Sequence, residues 1–429
     1  MTDRAHPRMF FGNFVNELMV TVPTARHAKA LVAVSPRKVW LTRPGDVVVL
    51  PTPPAEPLWE YATGLLGFSR SDVTAVAAPT DDLVTLTEAV RRAGLVDRLR
   101  ELVAGAPGLR FQPFAMDRPA LELAAEIGAP VDGYDGGRPS DETVEAVYRI
   151  NTKPGFRAAA GELGIKVADG RVAQDRAGLL EAARETVTEY GGAVIKPVRG
   201  SNGYGVRFLS KEDLTGLEAT VDAYLATVAD QPTGWLVEQR LDLARVVTVE
   251  MEATAEGPKV LHVGEMRTPN GSFSGQVTPI EENSPAVDKL VADGMAFGGH
   301  LHRLGYRGPF DIDGGITTDG QLYTTESNLR RTGCTYLDLL VRRLLGTEKA
   351  ADAVWLADSR AGGGTPDFAT GLDLVRKAGL AFEPGGEQGV VLTADTLAFD
   401  GKWRYLILAD SHRGVEELES RLAATLQLV

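Results

Sequence analysis

One cysteine, Cys334, stands in 429 residues. A single thiol excludes an internal disulfide and suits a reducing compartment. No apolar run reaches the ~18 residues of a membrane-spanning helix. The opening MTDRAHPRMFFGNF has no long apolar core of the secretory kind. These absences lead us to expect a cytoplasmic protein with no membrane partner. Positive charge is in deficit: 45 Lys and Arg against 58 Asp and Glu leave −13. That balance argues against nucleic acid as the main partner and leaves a cationic or neutral ligand open. Internal repeats and low-complexity segments are also missing.

What is present is an ordinary globular composition, 44% hydrophobic and 24% charged. The length calls for two or three domains. Residues 38–135 alternate strand-like and helix-like stretches. KVWLT, DVVVLPT, DVTAVAAP and LRFQPFA read as strands. AEPLWEYATGLLGF, the long DDLVTLTEAVRRAGLVDRLRELVAG and PALELAAEIGA read as helices. Such alternation predicts an α/β domain over 1–139 with a parallel sheet covered on both faces. GYDGGRPS, 133–140, reads as a linker, and Ser140 before Asp141 and Glu142 marks a helix start. From 151 the chain is β-rich with helices between, expected near 211–229 and 285–304. We place a two-part α+β core over 140–346, divided at 240/241, and a small α+β lobe over 347–429. In that last lobe GVVLTADTL and KWRYLILAD form a hairpin across Asp400-Gly401.

The stretch DIDGGITTDGQLYTTESN carries the first chemistry. Asp319-Gly320 signals a two-residue hairpin turn. A turn centred there sets Asp313 opposite Glu326 and Asp311 opposite Asn328. Residues two apart on a strand share a face, so all four side chains point the same way. Like charges opposite one another destabilise a sheet pair. A hard divalent cation such as Mg²⁺ resolves the conflict, because it takes oxygen ligands from a few carboxylates and leaves room for phosphates. A solvated acidic face is the alternative.

VIKPVRGSNGYGV, 194–206, is a strand, a glycine loop and a second strand. The GK[ST] ending of a P-loop is missing, and no helix opens on the loop as a dinucleotide fingerprint requires. A glycine loop between strands can still cradle phosphates with its amides, since no Cβ blocks the approach. Gly200, Gly203 and Gly205 shape it, Ser201 and Asn202 add donors, and Lys196 stands on the entering strand. A plain glycine turn is the alternative. Lys153 opens the domain in INTKPGFRAAAGELGI, and WLVEQRL, 235–241, offers Glu238, Gln239 and Leu241 on a strand that can read a ring edge. His300 and His302 are two apart on a helix and make a poor metal pair. His262 and Cys334 read as structural.

In this order the features resemble the ATP-grasp superfamily over about 151–346. The resemblance implies ATP held between two α+β subdomains. Lys153 and Lys196 would contact phosphates, and the loop Gly200–Gly205 would close over them. Glu238, Gln239 and Leu241 would form the adenine strand. Asp313, Glu326 and Asn328 would bind Mg²⁺ or Mn²⁺. Arg330, in ESNLRRTG, would steady the transferring phosphoryl group. Arg267 and Arg331 are further candidates for the substrate carboxylate or γ-phosphate. Two departures stand out: the ribose-binding acid of many members falls near Arg245, with Asp242 a substitute, and Asp311 lies where some members carry a basic residue. The N-terminal domain resembles the pre-ATP-grasp domain, and the whole layout is similar to the peptide ligases of pheganomycin biosynthesis. That likeness implies a carboxylic acid bearing a guanidino group, joined to a peptide amine through an acyl phosphate, with ADP and phosphate released in antibiotic biosynthesis. Glu281 and Glu282 would then read the guanidinium. The superfamily also implies a homodimer. A ligase for a small amine, a carboxylase and a non-catalytic ATP-binding protein are the competing readings.

Overall fold

The computed structural model describes residues 6–19, 25–79, 84–200, 203–228, 234–364 and 366–429. The first sheet holds β1 (Arg8–Phe11), β2 (Val47–Leu50), β3 (Thr74–Ala77) and β4 (Arg110–Pro113). Its order is β3-β2-β1-β4 and every pairing is parallel. Met9, Phe11, Val47 and Val49 fill one face against the helices around Leu99 and Leu123, while Phe10, Val48 and Leu50 fill the other. This is the doubly covered parallel sheet expected from alternation.

Two details differ. RMFF forms the inner strand β1, whereas KVWLT, read as a strand, lies in a 3₁₀ turn over Ser35–Leu41. Pro36 in its first turn presets a helical φ, so the buried run Lys38 to Leu41 coils instead of extending. The long helix expected over 81–105 is two helices, Leu86–Arg92 and Val96–Gly105, broken where Gly94 turns to φ 65°. Residues 80–83 lie outside the described residues.

A small lobe follows. Its sheet has β5 (Gly170–Ala173), β6 (Gly192–Pro197), β7 (Arg207–Ser210) and β8 (Trp235–Gln239), antiparallel in the order β5-β8-β6-β7. Helix Arg176–Tyr190 packs Leu179, Ala183 and Val187 onto it. Helix Lys153–Glu162 leads into the lobe; Thr152 caps it by accepting from the Gly155 amide.

The third sheet has eight strands: β9 (Leu243–Ala253), β10 (Pro258–Arg267), β11 (Gly275–Thr278), β12 (Gly308–Thr317), β13 (Leu322–Asn328), β14 (Val354–Ala361), β15 (Gly389–Ala394) and β16 (Lys402–Ala409). Their order is β13-β12-β9-β10-β11-β14-β16-β15. The C-terminal hairpin β15–β16 thus extends the sheet that carries the acidic hairpin, with β11, unread in the sequence, as the link to β14. One face is covered by helix Pro285–Arg303, through Val247, Val249, Phe310 and Ile312. Arg267 ties helix His412–Leu426 to the same face through Glu419. On the other face, β14 and β16 pack Trp355 and Leu406 against Trp40, and β9, β12 and β13 floor an open cleft.

Candidate active site

The floor of the cleft is built by register. Asp311 pairs with Asn328 on one side and Glu250 on the other, and Glu250 pairs with His262. One step along, Asp313 pairs with Glu326 and Thr248. The predicted pairings of the acids therefore hold, but by a different route. The turn is a three-residue loop, Thr318 to Gly320, with Gly320 at φ 80°. That shifts the register by one residue, and a bulge at Thr325, whose hydroxyl donates to the Asp313 carbonyl, shifts it back.

Polar contacts fix this floor. The Asn328 amide nitrogen donates to Asp311 at 2.9 Å, and its backbone N–H does so at 2.8 Å. Arg330 donates to the Asn328 amide oxygen at 2.6 Å and to the Arg331 carbonyl at 3.1 Å. The hydroxyls of Thr332 and Thr335 donate to the two oxygens of Glu250. Burial pushes Asp311 and Asp313 well above the usual carboxylate range, and their acidic neighbours push them further. Burial likewise raises Glu250, to about 8. Burial also acts to raise Glu326, but Lys153 and Lys196 outweigh it and hold that carboxyl low.

The small lobe forms the opposite wall. Lys153 sits 3.3 Å from Glu326, so a lysine from one side meets the hairpin from the other. Lys196 lies 2.5 Å from Glu238, whose second oxygen accepts from Arg157 at 2.8 Å. Burial pulls the Lys196 ammonium down, yet Glu238 holds it above its ordinary value. Glu238 is 4% exposed, and its carboxylate is engaged by two cations rather than turned to a ring amine. Gln239 and Leu241 continue along the cleft edge.

The described part of the glycine loop lines the cleft. Gly203 and Gly205 take φ 71° and 70°, a region where a side chain is strained. A Cβ on Gly203 would stand 3.1 Å from the Gly271 carbonyl of the β10–β11 turn, so the loop reaches across to the large sheet. Gly200 lines the cleft as well, while Ser201 and Asn202 lie outside the described residues.

Other expectations are corrected. Met266 and Gln276 are paired and face the cleft, which sets Arg267, one residue on, against the opposite face. There it forks onto Glu419 at 2.6 and 3.0 Å and reaches Asp358 at 2.9 Å, so it clamps the C-terminal helix and does not reach the cleft. Arg331 donates to the Pro113 carbonyl at the N-terminal domain and points away from the cleft. Glu281 and Glu282 are exposed and outside the cleft lining. Asp242 is exposed between Leu241 and Leu243, and Arg245 is spent on Glu265 at 2.6 Å.

Arg157 and Glu250 were missed. Arg157 is four residues after Lys153 on a helix and so shares its face. Glu250 alternates with Thr248 in VVTVEMEA, so period two puts them together.

Among the described residues no group of three His, Cys, Asp or Glu side chains is arranged to hold a metal by itself. The donors at hand, two crowded carboxylates and an amide oxygen, are hard oxygens that fit Mg²⁺ completed by a substrate's phosphates.

Comparison with solved structures decides the architecture. A biotin carboxylase from Campylobacter jejuni, solved with an ATP analogue, superposes with a TM-score of 0.62 at 13% identity, over 99% of this chain and 92% of that one. An N5-carboxyaminoimidazole ribonucleotide synthetase in its ADP complex gives 0.59 at 16%, over 98% of each. An L-amino acid ligase from Bacillus licheniformis gives 0.55 at 14%, over 100% and 99%. Residues 35–129 match the family model of the pre-ATP-grasp domain.

This is an ATP-grasp fold.

Residues 372–422 match the family model described as the PGM1 C-terminal domain. No curated protein matches the chain in sequence. No described helix is long and apolar enough to cross a membrane.

Proposed function

We propose that the protein is an ATP-dependent carboxylate–amine ligase that works through an acyl phosphate. The observation that carries this is the facing of Lys153 and Lys196 with the Asp313–Glu326–Asn328 floor and Arg330 across one cleft. In this reading Lys153 and Lys196 hold phosphate oxygens, and Glu238, Gln239 and Leu241 line the adenine. Asp313, Glu326 and the Asn328 oxygen would hold Mg²⁺ or Mn²⁺, which neutralises phosphate charge when bound. Arg330 faces the charge that develops on the transferring phosphoryl group. A carboxylate oxygen of the acid forms a bond to the γ-phosphorus, and the bond to the β–γ bridging oxygen breaks, releasing ADP. An amine nitrogen then attacks the acyl carbon, phosphate leaves with the C–O bonding pair, and the amine gives up a proton. Gly203 and Gly205 let the loop shield the mixed anhydride from water.

The finer reading takes a guanidino-bearing acid and a peptide amine, in antibiotic biosynthesis in the cytoplasm, by a homodimer. Its support is the second acid pair on the floor, Asp311 and Glu250, whose carboxyls burial pushes up and which a cationic substrate group beside them would draw back to the charged form. The test is ATP breakdown with a panel of acids, with and without peptide amines, resolving ADP from AMP. ADP and phosphate formed only with a matched acid and amine support ligation. AMP and pyrophosphate overturn it in favour of adenylation, and nucleotide binding without turnover leaves an ATP-binding protein.

A further inference from the structure

A second cavity, of about 420 Å³, lies where the N-terminal sheet meets the far end of the large sheet. Small-ligand pockets usually span about 300–1,000 Å³. The segment 329–331 separates it from the cleft: Arg330 borders both spaces, and Arg331 borders this one and not the cleft. One wall is the face of β1 and β4 that carries Arg8, Arg110 and Gln112. Arg8 pairs with Arg110 in parallel register, while Met9 and Phe111 turn to the other face. The facing wall is the end of β9. Glu252 follows Glu250 by two residues and pairs with Pro309 without a break in register, so it lies on the same face of the large sheet as the cleft floor.

Part of the charge around this space is already matched. Arg8 and Gln112 both hold Asp132, at 3.0 and 2.8 Å, and Arg307 donates to the His302 and Tyr306 carbonyls. Three groups are left over. Arg110 and Glu252 are half-buried and make no hydrogen bond or ion pair among the described residues. Arg331 donates to the Pro113 carbonyl at 3.0 Å through Nη1, but its buried Nε has no partner among them. A buried donor without an acceptor costs free energy. Burial pulls the Arg331 guanidinium below its ordinary value, and Asp132 and Glu252 stand near enough to oppose that pull. Arg8 and Arg110 also set like charges side by side, an unfavourable pairing, and Asp132 is bonded only to Arg8 of the two. Cations and a carboxylate left over around one cavity are the complement of a ligand that carries both charges.

We infer that this cavity binds a free α-amino acid as its zwitterion, with the carboxylate on the side of Arg110 and Arg331 and the ammonium at Glu252. A carboxylate alone would leave Glu252 unanswered, and an amine alone would leave the arginines so. The inference goes beyond the ligase reading and does not depend on it, because Lys153, Lys196 and Asp313 line the cleft and not this cavity.

The experiment is calorimetric titration of the full chain with the common α-amino acids, one at a time, and then with the amide and the N-acetyl form of the tightest binder. Wild type, Arg110→Gln and Glu252→Gln are compared. Neither side chain bonds anything in the fold, so both variants should keep it, which their urea midpoints check. An amino acid should bind wild type, and its affinity should fall about tenfold in each variant, the loss of one charge-assisted contact. The analogues resolve the two charges. Glu252→Gln should leave the N-acetyl form, which has no ammonium, unaffected. Arg110→Gln should leave the amide, which has no carboxylate, unaffected. Binding of no amino acid, or equal affinity in all three proteins, overturns the inference and leaves a solvated crevice. An analogue that binds wild type as tightly as its parent amino acid overturns it too. Absence of Mg-ADP binding would instead sink the ligase reading, while the amino-acid comparison still decides this site.

Discussion

Replacing Glu238 with Gln tests the cleft at its most charged point. Its carboxylate lies 2.5 Å from Lys196 and 2.8 Å from Arg157, with side chains 5%, 18% and 18% exposed. At an effective dielectric of about 20, each contact carries roughly 6 kcal/mol of gross attraction, most of it offset by desolvation. Removing one partner of such a buried group typically costs about 3–5 kcal/mol, because uncompensated charge stays buried. Gln keeps one acceptor oxygen, so we expect the lower end, about 3 kcal/mol. Nucleotide should narrow that gap if Lys196 meets phosphates, since the phosphate then supplies the missing negative charge. Saturating Mg-ATP adds about 2.7 kcal/mol to wild type at a hundredfold excess over Kd and should add more to the variant. The assay is urea unfolding read from Trp235, the lobe's buried tryptophan, by fluorine NMR of fluorotryptophan-labelled protein. A loss under 1 kcal/mol without nucleotide would show that the ion pairs do not hold the lobe. A gap unchanged by Mg-ATP would refute the placement of Lys196 on phosphate.

Other outcomes follow from single side chains. Gly205→Ala meets a positive φ and puts a Cβ 2.6 Å from Pro197; about 1–2 kcal/mol of backbone strain plus the clash should open the loop. Proteolysis between 199 and 206 should then quicken, and equal rates would refute the fit. Glu250 has its folded carboxyl pushed up to about 8, above an unfolded value near 4.3. A raised acid favours the folded state while protonated, so wild type should lose stability as pH climbs between those values. Glu250→Gln should flatten that slope in denaturation curves at pH 5 and 9. Arg267→Ala leaves Asp358 and Glu419 without their cation on the helix-covered face. With screening at the partly exposed arginine, the loss should be about 1–2 kcal/mol. Hydrogen exchange should rise over 412–426 while ATP affinity holds, and a fall in ATP affinity would contradict the separation of faces.

Much of the site was legible because it is local. Lys196, the glycine loop and the acidic hairpin are short runs whose meaning depends on neighbours in the chain. The hairpin shows where that logic is incomplete. Its turn has one residue more than Asp319-Gly320 suggested, and the bulge at Thr325 cancels the error only because turn and bulge both lie between Asp313 and Glu326. The 3₁₀ turn at Ser35–Leu41 shows the limit of local propensity. Val39, Trp40 and Leu41 prefer strands, but the segment is buried against Thr393, which accepts from the Trp40 indole.

The sequence alone determined most element types, the parallel N-terminal sheet, and which side chains of the acidic hairpin share a face, since these follow from periods of two and 3.6. It could not show that β11 joins β10 to β14, so that the C-terminal hairpin extends the sheet that floors the cleft. It could not show which face Arg267 takes, since that depends on the pairing of Met266 with Gln276. Nor could it bring Arg110, Glu252 and Arg331 to one cavity, or Glu250 beside Asp311. Those groupings join segments far apart in the chain, and only the packing of sheet and N-terminal domain sets the distances between them.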